Sequence, residues 1–392
     1  MNGSKTMYST IDLVYLSFVY DVWDNVGQSN LSCESLLHKK PPYEDINLFF
    51  TIYRGLRGGT VEYNCKSILD KFGISYISEG PEREVKAISS INEARESDLT
   101  MCYYEKEKGV SMISQSSAGI ILCAKSMQGR VHPKDARQQL FFLDNPRYAF
   151  VKIMNQMYNN KKNTAGISAR SVITKTAKIG SGCYIGDYTV IGDDCIIGDN
   201  TMIGTRVSLQ NCHCGNNSII QSGVTIGEDG FSFERNADGE LERFPHIRGV
   251  KLGDNVEVGA NTNIARGSLS DTIIGNGTKI ADMVHIGHNT LIGKHCQIAA
   301  GTSIGGSTKI GDMCWTGLNS TLKKVHVGNN VIIGCGAVVL RDVPDGDIVA
   351  GVPAKSIKDK VTTNKLFLMA GQTTKGSNLE LGLERKSLCT IP

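Results

Sequence analysis

The sequence lacks three features that would each have indicated a different class of protein. It has no stretch of eighteen apolar residues, so we expect no membrane-spanning helix. It has no dense run of lysine and arginine, and its net charge is only +3 over 392 residues, which argues against nucleic-acid binding. Asp12 and Asp21 interrupt the partly apolar start of the chain and no small-residue cleavage site follows, so we interpret it as a folded segment rather than a signal peptide.

The 12 cysteines also lack the paired spacing of a zinc site. Four of them lie two residues before a residue that we expect to point inward in a repeat, and these are Cys183, Cys195, Cys296 and Cys314. A free cysteine packs in such a position as a small hydrophobic residue. Cys212-His213-Cys214 is a tight group without a second pair, so we predict no metal site. Unpaired thiols in this number indicate a reducing, cytoplasmic location.

What the sequence does contain is a six-residue repeat of an aliphatic residue followed by glycine. The clearest pairs are Ile179-Gly180, Ile185-Gly186, Ile191-Gly192, Ile197-Gly198, Ile203-Gly204, Ile286-Gly287, Ile292-Gly293, Ile304-Gly305 and Ile310-Gly311. This period is typical of a hexapeptide β-solenoid, in which each hexad forms one short strand and a turn. Three hexads make one triangular coil, with the aliphatic residue inside. The sequence therefore predicts a mainly β protein built around a parallel β-helix.

The repeat loses its phase at three places, between Ile226 and Leu252, between Ile264 and Ile274, and between Thr316 and Val327. Because the strands of a solenoid are locked in register, insertions must leave at the corners of the coils, where substrates can bind. The first interruption opens at Glu228–Phe231 and closes near Phe244–His246. We therefore expect a surface loop there.

Before the repeat, residues 61–160 alternate between helical and extended patterns and predict a small α/β domain. Ser67–Phe72 indicates a short helix, Gly119–Cys123 a buried strand, and Pro146–Tyr158 a helix that begins with proline in its first turn. A polar linker, 159–164, leads into the β-helix domain at 167–355. Residues 1–60 form an unassigned extension, and 356–392 form a tail to which we assign no structure.

Two histidines lie within the most regular part of the repeat, His285 and His288. Known hexapeptide prisms very often acylate sugars in the clefts between subunits. Acyl transfer needs a base near the acceptor and a hydrogen-bond donor for the developing oxyanion. Histidine suits the first role because its unperturbed pKa is about 6.5. His288 follows Ile286-Gly287, so its side chain should face outward near a corner. From periodicity alone it is either a base in a cleft or an exposed polar residue.

Five stretches match the motifs of one enzyme family in combination. They read AISSINEA at 87–94, LDNPRYAF at 143–150, EDGF with FPH at 228–231 and 244–246, VEVGANTNIARG at 256–267, and HIGHN at 285–289. From about Ser67 onward the chain thus resembles the UDP-3-O-acylglucosamine N-acyltransferases of lipid A synthesis. The resemblance implies a left-handed β-helix, a homotrimer and an amino-terminal domain that binds a nucleotide sugar.

The resemblance also implies roles for particular residues. It makes His288 the general base and the Gly306 amide, one coil later, the oxyanion donor. Residues implied to contact the acceptor are Asp229, Phe231, His246, His285, Asn289, Tyr103 and Tyr104. The chain departs from the family pattern at three places. Ala265 stands where the family has an acid, and Ala281-Asp282 stands where it has an Asp-Asn pair. Lys324 stands where the family has a second histidine, although His326 of this chain is close by.

The carboxyl-terminal part of the repeat points to the acyl donor. Val343–Lys355 resembles the ending of acetyl-CoA-dependent hexapeptide sugar acetyltransferases, in which this segment borders the coenzyme tunnel. Lysines bind the phosphates of coenzyme A as point charges, and Lys324 and Lys355 are our candidate donor contacts. The tail after Thr362 contains several glycines and does not favour the long helix that helps to bind acyl carrier protein. We therefore favour a coenzyme A thioester slightly over an acyl-carrier-protein donor.

We predict an acyltransferase that moves an acyl group from acyl-CoA or acyl carrier protein to the amine of a nucleotide-linked amino sugar, without a tightly bound cofactor. Three alternatives stay open. The first is an acetyl-CoA-dependent sugar O-acetyltransferase. The second is a γ-carbonic-anhydrase-like metal enzyme, which needs three histidines at shared-cleft positions, whereas His285 and His288 are three residues apart and no third fits. The third is a non-catalytic scaffold, which the loss of the acid at Ala265 would support.

Overall fold

A computed structural model describes residues 63–158 and 165–360. The extension before residue 63, the linker at 159–164 and the tail after residue 360 lie outside the described residues. The described chain forms an α/β unit followed by a long parallel β-helix. None of its helices is long and apolar enough to cross a membrane, and the longest, Pro146–Tyr158, has 13 residues.

The α/β unit is built on a five-stranded sheet with helices on both faces. In spatial order its strands are Ile77–Glu79, Gln139–Leu143, Ile120–Ala124, Asp98–Cys102 and Ala87–Ile88, of which all but the first run parallel. A separate antiparallel pair joins Tyr63–Asn64 to Glu84–Val85. The α-helices are α1 (Cys65–Lys71), α2 (Lys106–Gln115) and α3 (Pro146–Tyr158), and a 3₁₀ turn spans Lys125–Met127.

The sheet is buried on both faces, which explains why its middle strand, Ile120–Ala124, is apolar throughout. Along Ile120–Ala124, alternate side chains pack into two separate cores. Leu122 lies with Ile153 of α3 on one face, and Ile121 lies with Ile113 of α2 on the other. The sequence predictions of helix α1, of this buried strand and of helix α3 are confirmed, with boundary differences of one or two residues.

The β-helix has three faces, each a parallel sheet of two- or three-residue strands. Face 1 contains Gly166–Ile167, Tyr184–Ile185, Met202–Ile203, Ile219–Ile220, Glu257–Val258, Lys279–Ile280, Gln297–Ile298, Trp315–Thr316, Ile332–Ile333 and Ile348–Ala350. Face 2 contains Val172–Ile173, Val190–Ile191, Ser208–Leu209, Thr225–Ile226, Asn263–Ile264, His285–Ile286, Ser303–Ile304, Thr321–Leu322 and Val338–Val339. Face 3 contains Lys178–Ile179, Ile196–Ile197, Cys212–Cys214, Val250–Leu252, Thr272–Ile274, Leu291–Ile292, Lys309–Ile310 and His326–Val327.

The register stacks each inward side chain on the inward side chain of the next coil. Ile185 pairs with Ile203, and Ile191 pairs with Leu209, with all four side chains buried. Inward threonines fill the corners, and Thr189 donates from Oγ1 to the carbonyl of Gly204 at 2.7 Å. From Ile185 to Val349 the column buries apolar surface, as the aliphatic repeat predicted, whereas Ile167 in the first coil is exposed.

The cysteines of the β-helix behave as small core residues. Nine of the ten cysteines in the described residues are buried, and all ten are free. Burial raises the pKa of the Cys195 thiol, so this group stays protonated inside the prism. In the Cys212–Cys214 strand both cysteines are buried, whereas the intervening His213 is exposed. The strand alternation thus points the imidazole away from the two thiols.

All irregularities of the repeat fall at one corner, the turns from face 2 to face 3, which we call the site corner. At the other two corners the inward residues are always six apart, as from Ile185 to Ile191 and from Ile197 to Ile203. At the site corner the steps are 5 from Leu209 to Cys214, 26 from Ile226 to Leu252, 10 from Ile264 to Ile274 and 5 from Leu322 to Val327. The two insertions therefore leave the coil on the same edge.

The longer insertion folds as an antiparallel hairpin, Phe233–Arg235 with Leu241–Arg243. The turns from face 3 to face 1 are stabilised differently, because in most coils the side-chain oxygen of an Asp or Asn accepts from a backbone N–H of the preceding coil. Asp312 accepts from Lys294 at 2.7 Å, and Asn329 accepts from Asp312 at 2.8 Å. Beyond Val349, a short strand at Lys355–Ser356 turns back on Ile348–Ala350 and a 3₁₀ turn follows at Lys358–Lys360, where the sequence had suggested no structure after Pro353.

Candidate active site

His288 lies at the site corner with its ring between two glycines. It follows the face 2 strand His285–Ile286, and its side chain is half-buried. A Cβ atom on Gly306, one coil further on, would lie 2.7 Å from Nε2 of His288. A Cβ atom on Gly230, in the longer insertion, would lie 2.8 Å from both Cβ and Cδ2 of His288. The ring is therefore seated against main chain on two sides, and only glycine permits that approach.

Asn289 determines which nitrogen of His288 carries the proton. The Asn289 side chain donates from Nδ2 to the carbonyl of Ser270 at 2.7 Å, and a carbonyl can only accept. The oxygen Oδ1 must then be the atom that lies 2.8 Å from Nδ1 of His288. Nδ1 is consequently the N–H donor, which leaves the lone pair on Nε2, the nitrogen that faces Gly306. This tautomer is the one that a general base at Nε2 requires.

The shorter insertion holds Asn289 in place. The hydroxyl of Ser268 donates to Oδ1 of Asn289 at 2.8 Å, and Ser270 Oγ lies 2.9 Å from Nδ2. Asn289 itself has a φ of 57°, a left-handed conformation that asparagine tolerates better than most residues. The insertion between Ile264 and Ile274 thus orients the imidazole through one intermediate side chain.

The Gly306 amide is free to bind a ligand. Its neighbours take part in coil stacking, since Gly305 N–H donates to the Leu322 carbonyl and Ser307 N–H donates to the His288 carbonyl, both at 2.8 Å. The Gly306 N–H donates no hydrogen bond to any part of the chain that the structure describes. An unpaired backbone N–H on a residue that lies against the His288 ring is the kind of donor that stabilises a tetrahedral oxyanion.

His246, near the end of the longer insertion, lies next to His288. The two ring centroids are 5.2 Å apart, with an angle of 78° between the ring planes. His246 is 6% exposed, and within residues 63–158 and 165–360 neither of its ring nitrogens has a hydrogen-bond partner. Burial lowers the pKa of His246, which favours the neutral form of the ring.

Three other residues predicted at the site, Asp229, Phe231 and His285, occupy different positions relative to His288. Asp229 precedes Gly230 and lies 3.9 Å from the guanidinium of Arg243. Phe231 is 90% exposed and contacts the ring of Phe233. His285 projects from the outer surface of face 2, between Asn263 and Ser303 of neighbouring coils, rather than from the corner.

The predicted donor contacts lie further along the β-helix. Lys324 is exposed at the site corner, one coil beyond Gly306, and its backbone N–H donates to Thr308 Oγ1 at 3.1 Å. Lys355 is exposed in the short strand that turns back on face 1. The two lysines therefore do not share a coil.

Tyr103 and Tyr104 lie in the α/β unit at a cavity of about 510 Å³. Apolar and hydroxyl-bearing side chains line this cavity, among them Ser89, Met101 and Phe150. The two phenol oxygens are 3.2 Å apart, and Lys108 Nζ lies 3.5 Å from the Tyr104 ring centroid. The hydrogen bond from Tyr103 and the nearby ammonium lower the pKa of Tyr104. The cavity offers an aromatic wall with one positive charge.

Two of the positions that depart from the family motifs take part in the stacking of the coils. Ala265 is 2% exposed, and its backbone N–H donates to the Ile286 carbonyl at 2.9 Å within the coil stack. The carboxylate of Asp282 accepts from the Ala260 amide at 2.8 Å, so it stabilises a turn. Sequence reasoning assigned no role to Gly230, Ser268 and Ser270. The sequence signals were the EDGF motif for Gly230 and the shorter insertion for the two serines. Among the described residues, no group of three or more His, Cys, Asp or Glu side chains is placed to hold a metal ion.

A parallel β-helix of hexapeptide repeats with an acyltransferase motif at one corner defines a hexapeptide-repeat acyltransferase. The family model "Bacterial transferase hexapeptide (six repeats)" matches residues 176–211 and 271–306, and "Hexapeptide repeat of succinyl-transferase" matches 307–341. UDP-3-O-acylglucosamine N-acyltransferase 2 of Legionella pneumophila is 35% identical over 72% of this chain and 87% of its own length. The enzyme of Rhizobium meliloti is 30% identical over 80% of this chain and 92% of its own.

The chain belongs to the UDP-3-O-acylglucosamine N-acyltransferase family, as the motifs predicted, and it is an enzyme. Its fold is the left-handed parallel β-helix with an amino-terminal α/β unit. Among solved structures, the UDP-N-acetylglucosamine acyltransferase of Francisella novicida is 26% identical, with a TM-score of 0.47 over 53% of this chain and 74% of that one.

Proposed function

We propose that the protein transfers an acyl group from a thioester to the amine of a UDP-linked 3-O-acylglucosamine, a step of lipid A synthesis. The names of its relatives support the acceptor and the reaction. The observation that carries the mechanism is the seating of Nε2 of His288 against Gly306, with the tautomer determined by Asn289. A base and an oxyanion donor then face the same reacting atoms.

In the proposed reaction the amine nitrogen attacks the thioester carbonyl carbon, and a C–N bond forms. Nε2 of His288 takes the proton that the amine loses. The carbonyl oxygen becomes an oxyanion and accepts a hydrogen bond from the Gly306 amide. When the tetrahedral intermediate collapses, the C–S bond breaks and His288 returns its proton to the departing thiolate. The products are an amide and a free thiol, and His288 is again neutral.

We further propose that residues 61–160 bind the nucleotide of the acceptor at the Tyr103–Tyr104 cavity. A uracil ring would stack on an aromatic side chain there, and Lys108 would add a positive charge near the diphosphate. We propose a homotrimer with the site corner in each cleft between subunits, as the family resemblance implies. The free thiols of the chain support a reducing, cytoplasmic location.

The donor is a thioester of coenzyme A or of acyl carrier protein. Lys324 lies at the site corner and Lys355 at the end of the prism, where each could bind a phosphate of the phosphopantetheine-bearing donor. A panel of acyl-CoA and acyl-carrier-protein thioesters, with the product identified by mass spectrometry, tests both the donor and the reaction. An ester product in place of an amide would identify a sugar O-acyltransferase instead.

The variant that tests the mechanism is His288→Ala, with His285→Ala as its matched control. His285 lies in the face 2 strand three residues earlier, whereas His288 lies at the corner that follows this strand. We expect His288→Ala to fold normally and to lose about 10²-fold or more in kcat, the usual contribution of a general base. His285→Ala should have a much smaller effect. Unchanged turnover in His288→Ala would remove His288 from the reaction.

A further inference from the structure

His246 has a hydrogen-bonding capacity that the chain itself does not use. The residue is only 6% exposed, yet neither ring nitrogen has a partner among the described residues. Buried polar groups in native proteins are nearly always hydrogen-bonded, so an unpartnered ring needs a specific explanation. His246 does not hydrogen-bond to His288, because the two rings are arranged edge to face with their centroids 5.2 Å apart.

Gly230 of the longer insertion lies against both His246 and His288. A Cβ atom on Gly230 would lie 2.9 Å from Nε2 of His246 and 2.8 Å from Cβ of His288, so Gly230 separates the two rings. The insertion thus brings a buried imidazole to the reacting corner from a position 42 residues earlier in the chain. A bound molecule whose amine reaches His288 would place its neighbouring atoms near His246.

The chemistry of the acceptor narrows the possible contact. In a UDP-3-O-acylglucosamine the reacting amine at C2 is flanked by the diphosphate at C1 and by the acyl ester at C3. A neutral imidazole carries one N–H donor and no positive charge, so it suits an uncharged carbonyl better than a phosphate. Burial lowers the pKa of His246, which favours the neutral form.

We infer that His246 donates a hydrogen bond to the ester carbonyl at C3 of the acceptor and thereby selects an acceptor that is already acylated at O3. This inference rests on the proposed function. It assigns His246 a positioning and specificity role, with proton transfer left to His288. An acceptor with a free hydroxyl at C3 lacks that carbonyl and leaves the imidazole unpartnered.

The test compares two acceptors, UDP-3-O-acylglucosamine and UDP-glucosamine, on the full-length protein and on His246→Leu and His246→Gln. Calorimetry without any acyl donor measures acceptor affinity independently of turnover. We expect the wild-type protein to prefer the acylated acceptor, and His246→Leu to reduce that preference about tenfold, the effect of one lost hydrogen bond. His246→Gln, which retains an amide donor, should keep most of the preference.

Thermal unfolding separates this role from a structural one. If His246 is unpartnered without substrate, His246→Leu should leave the melting temperature of the free protein unchanged or higher. A clear loss of stability in that variant would mean that the imidazole holds the loop instead. An equal loss of affinity for both acceptors would move the contact to a group that they share, and unchanged affinity for both would mean that water fills the site. Each of these three results overturns the inference.

The same experiment distinguishes a failure of the proposed function. If the wild-type protein binds neither UDP-linked sugar, the acceptor assignment itself is wrong. If it binds the acylated sugar but gives no amide with any thioester, the reaction is wrong, while the affinity ratios of the His246 variants still decide the inference.

Discussion

Gly306→Ala should disable the site with little damage to the fold. A methyl carbon on Gly306 would lie 2.7 Å from Nε2 of His288, and since nonbonded heavy atoms keep about 3.5 Å apart, the ring must retreat by roughly 0.8 Å. The three atoms nearest to that methyl carbon all belong to the imidazole of His288, so this side chain and not the main chain must move.

The imidazole has little room for that movement. Gly230 closes the other side of His288, and the hydrogen bond from Nδ1 to Asn289 is already 2.8 Å long. The ring must therefore rotate out of line with the acceptor. Because misplacement of a catalytic group by about 1 Å can reduce the rate about 10²-fold, we expect that loss in kcat. The free energy of unfolding should fall by only about 1 kcal/mol, the lower end for overpacking, because a half-buried side chain moves.

Gly305→Ala is the matched control, one residue away on the same turn. A Cβ atom there would lie 3.1 Å from the Leu322 carbonyl oxygen and away from His288. Initial rates with a fixed acyl donor and thermal melting should be measured on both variants. We expect Gly305→Ala to keep turnover within a few-fold of wild type. Equal losses of rate in the two variants, or full activity in Gly306→Ala, would refute the geometric argument.

Four other outcomes can be measured. Asn289→Ala frees the His288 ring to take the wrong tautomer, so kcat should fall about tenfold while acceptor affinity holds, and an equal fall in affinity would contradict this reading. Asp312→Ala removes the side-chain acceptor for the Lys294 amide and should lower the free energy of unfolding by about 1 kcal/mol in urea, whereas Lys294→Ala should be nearly neutral. Light scattering should show a trimer at micromolar concentration, and a monomer mass would count against the shared cleft. Calorimetry should detect coenzyme A binding, and no binding at millimolar ligand together with turnover by an acyl-carrier-protein thioester would reverse the donor preference.

The departure at Ala265 does not by itself favour a non-catalytic scaffold. The position is buried in the coil stack, where its backbone joins face 2 to the next coil. The proposed base, the side chain that determines its tautomer and the proposed amide donor are other residues, namely His288, Asn289 and Gly306. The longer insertion places another carboxylate, Asp229, next to Gly230, where it lies 3.9 Å from the guanidinium of Arg243.

Periodicity predicted most of the fold. In a six-residue repeat, the same position of every hexad points into the core. The repeat alone is therefore enough to place Ile185, Ile191 and Ile197 there. The same rule placed His288 at a corner, and the proline-led helical pattern placed Pro146–Tyr158 as a helix. The handedness of the coil did not follow from the period, because a six-residue repeat is compatible with either hand. It came from the family motifs.

The sequence by itself determined the repeat, its inward residues and the family. Only the tertiary structure showed that every change in repeat length falls at the site corner, including the shortened step at Cys214, which the sequence had presented as an isolated cysteine group. It alone brought Ser270, Gly230 and His246 to His288. The physical reason is that periodicity encodes which way a side chain points within a coil, whereas contacts at the corner depend on how two non-repeating loops fold back on their neighbours.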